Sequence, residues 1–359
     1  MRTWVEDFHF VKDPYEKLDP YKIDPRYLVW DRPDLANARA DIDRLIQDIS
    51  DGRRTGLKAF GSSGSGKTWL TRVIENEIHD KIPEVLFLYT KVPKMEPTYR
   101  VAYRIAIQNL LDGYFVHIKE YVKKARNGET GEQAWKALFE PEDLARAFAN
   151  YCAGTHTALV RKWFVGDKVS ASQLEKLGLT SSLSSDYDRF EMLVQILKQM
   201  KPVFPTTVLV IDELENASVK LAGQLSDGLR DMLDSFSENF VLLASFTAQK
   251  DEEWYDLGYS EALFRRLDYT VNLEALSPDS VADFLRIHHR AYREANAAVK
   301  DQLHPFAEEG AVTLLESITP GHHYPGYYLP DCRNLATICK GRSISSDFVK
   351  KNLGRLEFK

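Results

Sequence analysis

The chain has 359 residues, 44% hydrophobic and 28% charged, with 47 Lys and Arg against 53 Asp and Glu for a net charge of −6. That leaves room for two or three domains around a sizeable core, and excludes a chain coated in positive charge for nucleic-acid binding. Three cysteines, Cys152, Cys332 and Cys339, are too scattered for a disulfide framework or zinc site; no apolar run approaches the ~18 residues that span a membrane, and the start lacks signal-peptide features, so the expected setting is the cytoplasm, with no membrane partner.

Residues 1–34 carry three Asp-Pro pairs, at 13–14, 19–20 and 24–25, among aromatics. Proline fixes φ and blocks helix at the residue before it, so this segment reads as an extended arm packed on its own core or on a neighbour. Apolar residues then recur at helical spacing over 35–51, with Asp34 as cap and Gly52 as stop. A short apolar strand at 57–60 runs into Gly61-Ser62-Ser63-Gly64-Ser65-Gly66-Lys67-Thr68, and helical periodicity follows over 69–77. The spacing G-x-x-x-x-G-K-[ST] is that of a phosphate-binding loop. Glycines let the backbone curl around an anion, the exposed amides form a nest, and the helix adds its positive end. Lys67 would reach β- and γ-phosphates, Thr68 would ligate Mg²⁺, and Trp69 completes the candidate nucleotide-binding set.

A strand is expected at 85–89 and a helix at 101–111, then helical periodicity through a large insertion, about 112–204. The strongest strand, 206–211, ends in Asp212 and Glu213. Buried strand followed by adjacent carboxylates suits an acid that holds Mg²⁺ (through water) and a second that activates the attacking water. A helix at 221–236 and a strand at 240–246 follow; this strand leads to Thr247, with Ser245 as alternative, for contact with the γ-phosphate or that water. Arg265 and Arg266 precede a strand at 268–273, and either guanidinium would stabilise charge on a transferred phosphoryl group. From 277 the pattern is helical: 278–298, 305–318, 334–340 and 345–353, with Arg333 opening a helix. The fold class is therefore α/β, a parallel-sheet nucleotide-binding core over 35–276 with a helical insertion, then a helical lid over 277–359. Two local basic clusters, Lys119, Lys123, Lys124 and Arg126, and Lys340, Arg342, Lys350, Lys351 and Arg355, read as solvated helix faces or as a DNA-facing surface.

The motif order GSSGSGKT, VLVIDE, SFT, FRRLDY and PDCRNL resembles the AAA+ P-loop ATPases over roughly residues 30–355. Within them the chain resembles the initiator and origin-recognition branch. It also resembles the ATP-binding proteins of BREX-type phage-defence systems, in its insertion and in Arg161-Lys162-Trp163-Phe164-Val165-Gly166 followed by 174–179. The resemblance implies ATP and Mg²⁺ as cofactors and ATP binding by Gly64, Gly66, Lys67 and Thr68. It implies metal and water activation by Asp212 and Glu213, and sensing by Thr247, where asparagine is more usual, and by Arg333. It also implies an arginine supplied in trans, Arg265 or Arg266, within a homo-oligomer. The expected function is an ATPase acting as an assembly switch for a DNA-associated complex of defence, transposition or replication type, with an effector protein partner. The alternative is a nucleotide-dependent scaffold with little turnover.

Overall fold

The run from Thr206 to Asp212 is buried at every residue, as a β-branched and aliphatic strand covered on both faces must be. In the computed structural model it is β3 of a five-stranded sheet whose other members are β1 (Thr55–Phe60), β2 (Val85–Lys91), β4 (Phe240–Phe246) and β5 (Tyr269–Asn272). The strand order is β2-β3-β4-β1-β5. The structure describes residues 3–16, 24, 27, 31–82, 84–96, 98–248, 252–295, 299 and 301–358, without the side chains of 34 and 252. The cap expected at Asp34 and the Asp-Pro pairs at 19–20 and 24–25 lie wholly or partly outside these residues.

Helices run in chain order as α1 (Trp4–Asp7), α2 (Arg39–Ser50), α3 (Lys67–Lys81), α4 (Tyr99–Asn109) and α5 (Phe115–Ala125). They continue as α6 (Glu132–Lys136), α7 (Glu142–Ala153), α8 (Thr157–Phe164), α9 (Ala171–Leu177), α10 (Asp186–Met200) and α11 (Val219–Ser235). Then come α12 (Glu252–Asp256), α13 (Glu261–Phe264), α14 (Val281–Tyr292), α15 (Glu308–Ser317), α16 (Pro325–Cys339) and α17 (Ser346–Lys351). None in the described residues is long and apolar enough to cross a membrane. The chain divides into one unit of residues 1–44, 59–77 and 270–359, and another of 45–58 and 78–269.

In the first unit the arm packs on the chain's own C-terminal helices. Phe8, Phe10 and Tyr15 are buried in one apolar cluster with Leu285 of α14, Leu314 of α15 and Leu335 of α16. The arm is not wholly extended: α1 opens with a capping box between Thr3 and Glu6. The Tyr15 hydroxyl donates to His289 Nε2 (2.6 Å), and His289 Nδ1 donates to the Gln302 carbonyl (3.1 Å). That arrangement uses the neutral imidazole, one nitrogen accepting and the other donating. Arg333 lies deep within α16 rather than at its start, because the helix begins eight residues earlier at Pro325, a residue pre-set for the first helical position.

In the second unit β2, β3 and β4 are parallel, with Lys91 opposite Asp212 and Ile211 opposite Ala244. The helix expected over 101–111 ends as α4 at Asn109 and continues through a π-turn, Leu110–Tyr114, into α5. The Tyr114 hydroxyl accepts from Phe87 N (3.2 Å) and donates to Phe87 O (3.0 Å), which ties this turn to β2. The insertion has its own aromatic core: Trp135 stacks on Phe115 (5.9 Å) and meets Phe148 (5.7 Å), which in turn meets Phe164 (5.0 Å). The Ser-rich break at 180–185 is ordered by carboxylates, since buried Asp143 accepts from the backbone and side chains of Thr180 and Ser181.

Burial holds His289 well below the usual imidazole range. The unfolded state therefore binds more protons below about pH 6.5, and stability falls as pH drops through that value. Urea unfolding at pH 7.5 and 5.5 should show this loss, and His289→Gln should reduce the pH slope by up to about 1.4 kcal/mol per pH unit.

Candidate functional site

The first unit holds residues 61–68, the candidate phosphate loop. Gly64 has φ +78°, a left-handed conformation that costs an L side chain energy. Gly61 and Gly66 also have positive φ, at +153° and +102°. Lys67 Nζ donates to the carbonyls of Gly61 (2.7 Å) and Ser62 (3.1 Å), so the ammonium is folded back on the loop. Ser65 is buried, its amide donates to Ser62 O (3.1 Å), and its hydroxyl has no hydrogen-bond partner among the described residues. Ser63 is exposed, and Thr68 is half-buried in the first turn of α3. Trp69 carries the Arg32 guanidinium over its ring at 4.2 Å, and Phe284 flanks the same guanidinium at 5.1 Å.

The same unit brings α16 onto the loop. Gly326 N donates to Gly64 O at 2.9 Å. A Cβ on Gly326 would sit 2.8 Å from Gly64 Cα, and one on Gly64 would sit 2.9 Å from the Tyr327 ring. Both residues must lack side chains for the backbones to touch. Tyr327 is backed by His322 (4.5 Å) and Phe358 (5.0 Å). Arg333, two turns further along α16, is engaged by Asp13 of the arm (Nε–Oδ2 2.6 Å).

The second unit holds the acids. Asp212 is 1% exposed. Its Oδ1 accepts from Glu213 N (2.8 Å) and from the Ser245 hydroxyl of β4, and its Oδ2 accepts from the Tyr89 hydroxyl of β2 (3.1 Å). Each donor offsets part of the cost of burying the charge. Glu213 has φ +57°, a sharp exit from the strand. Its carboxylate accepts from Asn216 Nδ2 (3.2 Å) and pairs with Lys91 Nζ (3.6 Å). Thr247 donates to Glu215 twice, from N (3.0 Å) and from Oγ1 (2.5 Å). Glu215 follows Glu213 by two residues and reads in sequence as a helix-start charge; only the strand alignment shows that it holds Thr247.

Also in the second unit, the two arginines differ. Arg266 grips Asp234 of α11 with Nε (2.9 Å) and Nη2 (2.8 Å), a bidentate pair. Arg265 is 74% exposed and, among the described residues, pairs with Glu261, one turn back (2.6 Å), a surface pair of little energetic weight. Three further residues near the loop carry no sequence signal: Arg32, Gly326 and Tyr327. Nothing local marks them, since each meets the loop from elsewhere in the chain.

No protein-family model matches the sequence, and no curated protein is similar to it in sequence. Solved structures do match. An ORC2 protein of Aeropyrum pernix, determined in ADPNP and ADP complexes, is 11% identical with a TM-score of 0.50, over 92% of this chain and 71% of that one. Cdc6p of Pyrobaculum aerophilum is 13% identical with a TM-score of 0.51, over 93% of this chain and 72% of that one. The chain shares its fold with these two structures.

The contact of Gly64 with Gly326 makes a sharp expectation. Gly326→Ala should cost about 1–3 kcal/mol in thermal unfolding, because backbone has to shift. Gly321→Ala, where a Cβ meets nothing within 4 Å, should be near neutral.

Proposed function

We propose that this protein is an ATPase acting as a nucleotide-dependent assembly switch in a DNA-associated complex. The observation that carries this reading is the hydrogen bond between the phosphate loop and α16, Gly326 N to Gly64 O. A phosphate seated in the loop alters the backbone that α16 rests on, so occupancy is read out by the C-terminal helices and the arm packed on them.

The residues fit a nucleoside triphosphate. Gly64 holds the loop in a positive-φ turn, α3 begins at Lys67, and Lys67 already sits over the loop carbonyls it would leave for phosphate oxygens. Thr68 and Asp212 would hold Mg²⁺, Asp212 through water. Bound Mg²⁺ would neutralise charge on the β- and γ-phosphates. Glu213 would orient the attacking water and take its proton at a carboxylate oxygen once Lys91 and Asn216 yield. Glu215 holds Thr247 for the same water or the γ-phosphate. Of the two candidate trans arginines we favour Arg265: it is exposed, whereas Arg266 would have to break a bidentate pair with Asp234. On the C-terminal side, sensing falls to Gly326 and Tyr327. Arg333 would contribute only on leaving Asp13.

A second reading, an ATP-binding scaffold with little turnover that recruits an effector, is favoured by one observation: the Glu213 carboxylate is engaged by Lys91 and Asn216. Phosphate release and fluorescent-nucleotide binding separate the two. Lys67→Ala should weaken ATP binding roughly 10- to 100-fold. Glu213→Gln should keep binding and lower turnover by about 10²–10⁴-fold. Wild-type turnover no faster than that of Glu213→Gln, with duplex DNA present, would leave the scaffold.

DNA association is part of the proposal, supported by the exposed cations Lys340, Arg342, Lys350, Lys351 and Arg355 and by the second cluster, with Lys123, Lys124 and Arg126 exposed around the end of α5. Reversing these charges to Glu should abolish ATP-dependent retention of duplex DNA. It should also flatten the salt dependence, by about 0.9 in log–log slope for each phosphate that is no longer neutralised. Unchanged retention would remove DNA from the proposal.

A further inference from the structure

The second unit contains a cleft that the nucleotide chemistry does not use. It opens between α10 and α11, has a volume of about 410 Å³, and reaches down to β3, where Leu209 and Ile211 form its floor. Leu225 and Met232 of α11 line one wall, and Tyr99 and Tyr103 of α4 line the inner end. The Tyr99 and Tyr103 hydroxyls are both buried, and neither has a hydrogen-bond partner among the described residues. Tyr103 as a whole is only 1% exposed. Nearby Thr90, also at the cleft, is satisfied by donating to Ala102 O (2.5 Å), so the orphan groups are the two phenols. An apolar cavity does not fill comfortably with water, which needs two to four polar partners per molecule. A buried hydroxyl without a partner is equally unfavourable. One occupant resolves both.

We infer that this cleft is a binding site for a neutral, largely apolar small molecule that accepts hydrogen bonds from the Tyr99 and Tyr103 hydroxyls. The volume lies in the range of ligand pockets, with an apolar lining and few convergent polar groups. Acidic side chains dominate the rim, with Asp186, Glu191, Asp227 and Asp231 against Lys198, which disfavours an anion. The phenols are donors throughout the physiological range, since burial pushes both well above the usual tyrosine range. The ring of Phe190 lies 6.1 Å from Tyr99 and presses on α11 at Gly228, where a Cβ would sit 2.9 Å from Phe190 Cε2. Gly228 thus lets an aromatic wall stand between the two helices. The floor residue Ile211 immediately precedes Asp212, so an occupant touches the strand that carries the acids. That regulatory consequence rests on the ATPase reading; the binding itself does not.

The test uses the full chain without nucleotide and 7-diethylamino-4-methylcoumarin, a neutral solvatochromic probe with a carbonyl acceptor. The expected result is a saturable blue shift at one probe per chain. Tyr99→Phe and Tyr103→Phe should each weaken it about 3- to 10-fold, with melting temperature unchanged or raised because an orphan donor is gone. Lys67→Ala should leave it unaltered, so that failure here and failure of the ATPase reading remain separate results. Absence of saturable binding overturns the inference. So does binding that Tyr99→Phe/Tyr103→Phe leaves unchanged, which means adsorption elsewhere, and so does a lowered melting temperature with unchanged binding, which means the hydroxyls hold structural water.

Discussion

Two backbones touch at Gly64 and Gly326, and the proposed switch depends on that contact. One side is the turn that would cradle phosphate; the other is the first turn of α16. A hydrogen bond between main-chain atoms leaves no side-chain flexibility to absorb a change, and interiors packed this closely transmit displacement rather than damp it. Tyr327 covers Gly64, while His322 and Phe358 brace Tyr327, so the loop, α16 and the final residues form one mechanical group. The tail is fixed independently: Asp331 of α16 accepts from Glu357 N (2.5 Å) and Phe358 N (3.2 Å).

The arm belongs to the same group. Its aromatic residues fill the cluster between α14, α15 and α16, and its polar groups finish that packing. His289 is buried between Tyr15 and a backbone carbonyl, and Arg333 is held by Asp13. A segment with proline punctuation and few helical residues is thereby anchored along its described part by specific polar and aromatic contacts. Of the two surfaces open to it in sequence, its own core or a neighbour, the described part of the arm takes its own core.

What could be read from the sequence had local causes. The glycine spacing over 61–68 puts a turn between strand and helix, where β1 and α3 flank it, and β3 is an unbroken aliphatic run, legible at the right position. β4 was as well, its bounds matching residue for residue. Features set by distant partners were not. The break between α4 and α5 depends on Tyr114 reaching back to Phe87. The role of Glu215 depends on β3 and β4 ending side by side, which brings Thr247 to it from 32 residues along the chain. Arg333 reads as a helix start because Asp-Cys-Arg-Asn follows a proline. Yet Pro330 lies inside α16, whose true start is Pro325. Helical periodicity alone does not say which of two nearby prolines opens the helix.

Three buried carboxylates show how placement separates structure from chemistry. Asp143 spends its oxygens on Thr180 and Ser181, closing an irregular loop. Asp331 spends its oxygens on the chain's last described amides, and burial still pushes it above the usual carboxylate range. Both act as staples: Asp143 gathers its donors from one short segment, and Asp331 ties Asn334 of its own helix to the final residues. Asp212 is arranged differently. Besides the amide of Glu213, it accepts from hydroxyls on the strands to either side, Tyr89 of β2 and Ser245 of β4. A carboxylate held from both flanks is fixed by the sheet itself, with little dependence on any loop. Hydroxyls also rotate, so they can turn from the carboxylate to a ligand-bound water without moving the backbone. Placement from both flanks of the sheet is the property that sets Asp212 apart from the two staples, and it suits the metal-water role proposed for it.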